Sequence, residues 1–180
     1  MHKKKTIEEL CRMDVEEFKE ARKLPLAVVL DNVRSLHNVG SVLRTADAFR
    51  LCAVHLCGIT ACPPSAEIHK TALGAEDSVD WAYFKTTMES VERLKRAGFK
   101  VFAAEQTEES ISLDRFVVED EQPYAVIMGN EVAGVQQEVI DACDGTIEIP
   151  QFGTKHSLNV SVSAGIVIWE LARQMLQTIE

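Results

Sequence analysis

Three polar segments, each following an apolar run, carry the residues of this sequence that could perform chemistry. They cover residues 31–50, 128–135 and 147–171. Together they supply amide, guanidinium, carboxylate and hydroxyl side chains, at Asn38, Arg44, Glu131, Ser157 and Asn159. Groups of these types bind a polar substrate, orient it and stabilise charge that develops during a reaction. The pattern therefore favours one composite site built from three loops.

Each segment also admits a purely structural interpretation. Asn38 is a suitable N-cap for the helix that follows it, and Arg44 precedes Asp47 by three residues, a spacing at which the two side chains pair. Glu131 can lie in solvent on a tight turn between two glycines, and Ser157 can cap the last helix. Taken one segment at a time, both interpretations stay open.

Other classes of site lack their motifs. The absence of G-x-G-x-x-G and of GK[ST] argues against a dinucleotide oxidoreductase and a P-loop NTPase. Ser157 lies in HSLN rather than G-x-S-x-G, which argues against a serine hydrolase. Cys52, Cys57 and Cys62 recur every five residues, which fits no metal motif. We expect no metal site, and we interpret these cysteines as buried small residues, the first two on opposite sides of a strand.

Alternating strands and helices must position the three segments. Apolar runs predict strands at 26–30, 53–58, 99–104, 124–129 and 146–150. Amphipathic patterns predict helices at 6–22, 38–49, 86–97, 135–143 and 158–177, with capping boxes at Thr6/Glu9 and Thr86/Glu89. This order predicts an α/β fold with a mostly parallel sheet flanked by helices. In such a sheet ligands bind beyond the carboxyl ends of the strands, where the three segments begin.

Length and charge limit the class of protein. The 180 residues predict one domain at 24–180, preceded by a helical extension at 1–23. The net charge of −9 argues against a broad basic surface for nucleic acid, although it leaves room for a local basic patch. The first residues contain no apolar region typical of a signal peptide, and no apolar stretch reaches the roughly 20 residues that span a bilayer. We therefore expect a soluble, cytoplasmic protein.

Taken together, the three segments resemble the motifs of the SpoU-class, TrmH-like branch of the SPOUT methyltransferases. Residues 38–44 match N-x-G-x-x-x-R, which is motif 1 of that family. Residues 129–134 match G-x-E-x-x-G, which is motif 2. Residues 149–161 match an Ile-Pro pair, a glycine-bearing loop and S-L-N-V-S, which is motif 3. The motifs occur in the order and spacing of the family, and the match covers roughly residues 26–177.

The resemblance implies a fold, an activity and a cofactor. It implies that the C-terminal part of the sheet threads into a trefoil knot, and that the protein is a homodimer which methylates the ribose 2′-hydroxyl of RNA. It implies S-adenosylmethionine as the cofactor and requires no metal. The cofactor-binding residues that it implies hold the adenosine and methionine parts mostly through backbone groups, at Ala104, Gly129, Ile149, Gln151 and Leu158.

The resemblance also assigns catalytic roles. Because a guanidinium barely deprotonates in a protein, we expect Arg44 to bind a phosphate and stabilise the developing alkoxide rather than act as a base. Asn38 would position Arg44, and Glu131 would orient groups of motifs 1 and 3. Ser157 and Asn159 would hold the ribose.

The resemblance also implies how RNA and a second subunit would bind. RNA phosphates would meet a small set of basic side chains, at Lys3 to Lys5, Arg34, Arg44, Lys70, Lys155 and His156, while the acidic stretch 105–121 lies away from the RNA. The small residues Ser161, Ser163, Ala164 and Gly165 would let two subunits approach closely, with motif 1 of one near the cofactor loops of the other. The alternatives are a non-catalytic module of this fold that binds RNA or cofactor, a methyltransferase with a non-RNA substrate, and a structural subunit. Transfer RNA and ribosomal RNA both remain open as substrates.

Overall fold

A seven-stranded parallel sheet forms the centre of the protein. A computed structural model describes residues 2–6 and 8–176. The strands are β1 (Leu24–Asp31), β2 (Leu51–Cys57), β3 (Trp81–Phe84), β4 (Lys100–Ala104), β5 (Ile111–Ser112), β6 (Tyr124–Met128) and β7 (Gly145–Glu148). Their order across the sheet is β3-β2-β1-β6-β4-β7-β5, and every strand pairing in the described residues is parallel. The predicted α/β fold with a parallel sheet is confirmed, whereas the knot stays a prediction.

Helices cover both faces of the sheet. They are α1 (Val15–Glu20), α2 (Leu36–Ala48), α3 (Ala66–Ala72), α4 (Ala75–Ser78), α5 (Thr87–Arg96), α6 (Gln137–Ala142) and α7 (Val160–Leu176). Side chains of α2, α3, α4 and α7 share one core cluster with Leu26, Val28 and Leu30 of β1. Side chains of α5 and α6 share the other cluster with Ala27 and Val29. Because β1 is buried on both faces, it is a continuous apolar run, as in other parallel sheets.

The N-terminal segment differs from the single helix predicted at 6–22. Thr6 and Glu9 do exchange the hydrogen bonds of a capping box, but these bonds cap only a single 3-10 turn at Glu8–Leu10. Cys11 has a left-handed backbone (φ 46°), which stops that turn, and Asp14 then caps α1 with its own capping box. Of the predicted apolar stripe only Phe18 is buried, while Ile7 lies outside the described residues.

Four short elements were not predicted. The sequence patterns predict no helix or strand between residues 59 and 85, yet Ser65 caps α3 there, and α4 and the edge strand β3 follow. β5 is a two-residue strand inside the acidic stretch 105–121. α4 and β3 have four residues each, too few for a period to be read, and the half-exposed β3 lacks a continuous apolar run.

Cys52 and Cys57 do not lie on opposite sides of β2 as predicted. Cys57 belongs to the core cluster beneath α5 and α6, and Cys52 packs against the same cluster. The pairing register of β1 and β2 shifts between Leu24 and Ala27, so the alternation of side chains is interrupted within β2. Burial raises the pKa of Cys52 to about 11 and that of Cys57 to about 12, which makes both inert thiols.

Candidate functional site

The three polar segments meet at one cavity beyond the carboxyl ends of β4, β6 and β7. The cavity has a volume of about 760 Å³. All of the residues assigned to the cofactor line it, namely Ala104, Gly129, Ile149, Gln151 and Leu158. Glu131, Ser157 and Asn159 line it too, whereas Asn38 and Arg44 do not. Eight of the ten predicted site residues therefore line one cavity, five of them assigned to the cofactor and three to catalysis.

Glu131 is fixed at the N-terminus of α2. Its carboxylate accepts hydrogen bonds from the backbone N–H groups of Arg34 and Ser35, both at 2.9 Å, and from the Asn38 amide at 3.0 Å. Burial favours the protonated acid, but these hydrogen bonds together hold the pKa of Glu131 below its ordinary value of 4.5. The partial positive charge at the N-terminus of α2 also favours the ionised carboxylate. Glu131 does lie exposed on a turn, as the structural interpretation expected, but its carboxylate is held by these three hydrogen bonds.

Asn38 joins motif 2 to motif 3. It is not the N-cap of α2, because Ser35 takes that place and its hydroxyl accepts a bond from the Asn38 N–H. The Asn38 side chain is buried, donates to Glu131 and accepts from the Asn159 amide at 3.2 Å. One continuous chain of hydrogen bonds thus connects the three motifs.

Asn159, rather than Ser157, caps the last helix. Its side-chain oxygen accepts from the N–H of Ser161 at 2.9 Å and of Val162 at 3.3 Å, so α7 begins at Val160 and not at 158 as predicted. Ser157 is exposed two residues earlier, and its hydroxyl makes no hydrogen bond within the described part of the chain. The Ser157 hydroxyl is therefore available to a ligand.

Arg44 lies apart from this chain of hydrogen bonds. It is exposed on α2, and its side chain has no ion pair and no hydrogen bond among residues 2–6 and 8–176. Asp47, its proposed structural partner, instead accepts a hydrogen bond from the Ser78 hydroxyl, so the predicted Arg44–Asp47 pair is wrong. Within the same ranges no hydrogen bond joins Asn38 to Arg44 either, so any positioning of Arg44 runs through the backbone of α2.

Two residues that shape the motif 2 loop were missed. Asn130 donates to the Asn32 carbonyl at 2.7 Å and accepts from the N–H groups of Val132 and Ala133. Asp31, fully buried at the end of β1, accepts from the Thr87 hydroxyl at 2.5 Å and from the backbone of the residue before α6 at 3.0 Å. A polar residue directly after an apolar strand was the available signal for both.

Glycines allow this loop to fold against itself. A Cβ on Gly129 would stand 2.2 Å from the carbonyl carbon of Gly134. Gly134 has φ +69°, and a Cβ there would stand 2.3 Å from the Glu105 carboxylate, which accepts from the Val135 N–H at 3.1 Å. Glu105 is the first residue of the acidic stretch that was expected to lie away from the RNA, and it lines the cavity.

The charges of the cavity favour a neutral or cationic ligand. Its described lining includes the carboxylates of Glu105, Glu131 and Glu148 but no Lys or Arg. A phosphate-bearing ligand would meet these carboxylates without a compensating cation. In the described residues no group of three His, Cys, Asp or Glu side chains is placed to hold a metal ion, and no helix has the length and apolar character to cross a membrane.

The sequence matches a known family over most of its length. Residues 25–169 match the model of the SpoU rRNA Methylase family. A 23S rRNA (guanosine-2′-O-)-methyltransferase RlmB of Nitrosomonas europaea is 38% identical over 156 residues, which is 84% of this chain and 57% of that protein. A tRNA (guanosine(18)-2′-O)-methyltransferase of Thermus thermophilus is 34% identical over 172 residues, covering 94% of this chain and 85% of that protein.

Solved structures of SpoU enzymes superpose on this chain. The TrmH/SpoU tRNA modifying enzyme of A. aeolicus superposes with a TM-score of 0.80 at 28% identity, covering 91% of this chain and 82% of that one. The SpoU methyltransferase AviRb of Streptomyces viridochromogenes, solved in complex with the cofactor AdoMet, superposes with a TM-score of 0.75 at 25% identity, over 91% of this chain and 65% of that one.

Proposed function

The chain belongs to the SpoU rRNA Methylase family, and from that premise we propose that it transfers a methyl group from S-adenosylmethionine to a ribose 2′-hydroxyl of RNA. The observation that carries the proposal is the hydrogen-bonded chain from Glu131 through Asn38 to Asn159, since it unites all three motifs beside one cavity. Relatives are named for both ribosomal and transfer RNA, so structured RNA of either kind is the substrate class.

The cavity fits the cofactor in size and charge. Its volume of about 760 Å³ lies within the range of small-molecule sites, roughly 300–1,000 Å³. Three carboxylates and no Lys or Arg in the described lining suit a sulfonium cation that carries no phosphate. When bound, S-adenosylmethionine supplies an electrophilic methyl group. Backbone groups would hold its adenosine and methionine parts, at Ala104, Gly129, Ile149, Gln151 and Leu158.

The side chains around the cavity prepare the ribose oxygen. A 2′-hydroxyl is a very weak acid, so the site must orient it and stabilise the charge that develops. Ser157 and Asn159 would hold the ribose, and Glu131 would keep motifs 1 and 3 in register. Arg44 would bind the adjacent phosphate and stabilise the alkoxide, while the proton leaves to phosphate or water.

We propose a homodimer in which Arg44 serves the partner's cavity. Arg44 does not line the cavity of its own subunit, and its side chain is unpaired in the described residues. The outer face of α7 exposes Val162 (51%) and Trp169 (53%), and a Cβ added at Gly165 would meet no atom within 4 Å. A second copy would cover this apolar face and bring motif 1 of one subunit to the cofactor loops of the other.

The proposed RNA surface uses a few cations. The side chains of Arg34, Arg44 and Lys155 are exposed, whereas Lys70 pairs with Glu67, so we expect Lys70 to contribute less than the sequence alone suggests. We place the protein in the cytoplasm, because its five cysteines are all free, as in a reducing compartment.

Transfer of tritium from labelled S-adenosylmethionine to total RNA tests the activity. We expect label in RNA with the wild type and little with Arg44→Ala, while calorimetry shows equal cofactor binding by both. Cofactor binding without transfer to RNA by the wild type would contradict the proposal and favour a non-catalytic binding module or a non-RNA substrate. A fully active monomer in light scattering would contradict the dimer.

A further inference from the structure

We propose that Phe152 is a stacking platform for a nucleobase next to the methylated ribose, and that Lys155 binds a phosphate of the same strand. The inference rests on the proposed function and extends it to the contact that selects the RNA. Both residues belong to the segment 151–158, called here the motif 3 loop, which connects β7 to α7 at the mouth of the cavity.

Phe152 is placed for an external ligand. Its side chain is 96% exposed, the largest exposure of any large apolar residue in the described part of the chain. Residues on either side of it in the loop, Gln151 and His156, line the cavity, whereas Phe152 does not. The ring therefore stands outside the cavity, on a loop that contributes other residues to its lining. An aromatic ring in this position offers a face to any unpaired base.

The charge of the surroundings matches a polyanion. The protein carries a net charge of −9, yet residues 149–169 contain no Asp or Glu. Residues 32–46, which include motif 1, contain none either, and the bond between Asn159 and Asn38 joins the two segments. Exposed Arg34 and Lys155 lie within them. An RNA strand that follows these two segments meets no acidic side chain of their own. Two carboxylates from outside them bond to the first segment, namely Glu131 to Arg34, Ser35 and Asn38, and Glu67 to His37.

Stacking and phosphate contact respond differently to salt. A stacked base contributes about 5- to 150-fold to affinity and releases no counterion. A phosphate contact releases counterions, so its loss lowers the slope of log affinity against log salt by about 0.7–0.9. The two residues can thus be assigned separately.

The experiment measures the binding of labelled bulk transfer RNA at several salt concentrations, single-turnover methyl transfer, and cofactor affinity by calorimetry. We expect Phe152→Ala to weaken RNA binding about 5- to 150-fold at an unchanged salt slope, with cofactor affinity within about twofold. Phe152→Trp should bind RNA as the wild type does. Lys155→Met should lower the salt slope. Val117→Ala, which trims another exposed apolar side chain (74%), is the matched control and should bind as the wild type does.

Three results would overturn the inference. Normal RNA binding by Phe152→Ala would show that the ring does not stack on a base. A loss of cofactor affinity of about tenfold in this variant would assign the ring to the cofactor site. Dissociation of the dimer would assign it to the subunit interface. Wild-type protein that binds RNA without methylating it would contradict the proposed function alone, since a binding loss in Phe152→Ala would still support the platform.

Discussion

Replacing Glu131 by Gln removes one charge and keeps the shape of the residue that links the motifs. The carboxylate accepts three hydrogen bonds, one through Oε2 from the Arg34 N–H and two through Oε1 from Ser35 and Asn38. An amide has one oxygen. If that oxygen takes the Oε1 place, its NH2 group faces the N–H of Arg34, and that donor loses its partner.

The expected cost follows from these bonds. A hydrogen bond to a charged group contributes about 1.5–3 kcal/mol, and a charge at a helix N-terminus adds about 0.3–1 kcal/mol. Because Glu131 is exposed and solvent screens its charge, we take the low end and expect a loss of about 2 kcal/mol in the free energy of unfolding. If the same free energy positions the ribose, the single-turnover rate should fall about 30-fold.

Urea unfolding and single-turnover methyl transfer at neutral pH measure the two effects. Glu138→Gln is the matched control, since Glu138 is an exposed carboxylate in the first turn of α6 without a side-chain partner in the described residues. The pKa of Glu131 in the folded protein lies below 4.5, so its contribution should persist above that pH and vanish as the pH falls through the folded value. Equal unfolding free energies and equal rates for Glu131→Gln and Glu138→Gln would show that the Glu131 carboxylate neither stabilises the fold nor positions the ribose.

Three further sets of substitutions test the roles of Arg44, Gly134 and His55. Arg44→Ala should lower the single-turnover rate about 100- to 1,000-fold and Arg44→Lys by less, with cofactor affinity unchanged in both; a normal rate for the alanine variant would exclude a catalytic role. Gly134→Ala should destabilise the protein by about 1–2 kcal/mol, because residue 134 has a left-handed backbone. Gly153→Ala is the control, since a Cβ at residue 153 would meet no atom within 4 Å. Equal melting temperatures for the two variants would contradict this expectation. Burial lowers the pKa of His55 to about 4. Between pH 6.5 and 4 the unfolded chain therefore binds a proton at His55 that the folded protein does not bind. The free energy of unfolding should fall by about 3 kcal/mol as the pH drops across that range. His55→Gln should flatten that dependence in chemical denaturation at several pH values, whereas an unchanged slope would show that His55 is not its source.

The central strands could be predicted because burial on both faces imposes a simple pattern. Strand β1 is apolar over residues 26–30, and β6 over 124–128, and the predicted ends of both strands lie within two residues of the observed ends. The stop of α5 at Gly98 was also predictable, since its φ of +86° suits glycine. Edge elements gave no such pattern, because β3 is partly exposed and only four residues long.

The composition of the site was predictable, but its connections were not. The sequence identified Asn38, Glu131 and Asn159 as polar residues at strand ends. It could not show that their side chains bond to one another, because the partners lie 93 and 121 residues apart in the chain. Local rules favoured Asn38 as an N-cap, yet Ser35 satisfies the same rule and frees Asn38 to face Glu131. Tertiary structure alone decided between two equally good caps.

The position of the transferred methyl group distinguishes ribose methylation from base methylation. RNA labelled from tritiated S-adenosylmethionine is digested with alkali, which cleaves a phosphodiester only where the neighbouring 2′-hydroxyl is free. We expect the label to survive in alkali-resistant dinucleotides, and RNA treated with the Arg44→Ala variant to yield almost none. Label recovered in mononucleotides would place the methyl group on a base, and would contradict a site built to activate the ribose oxygen.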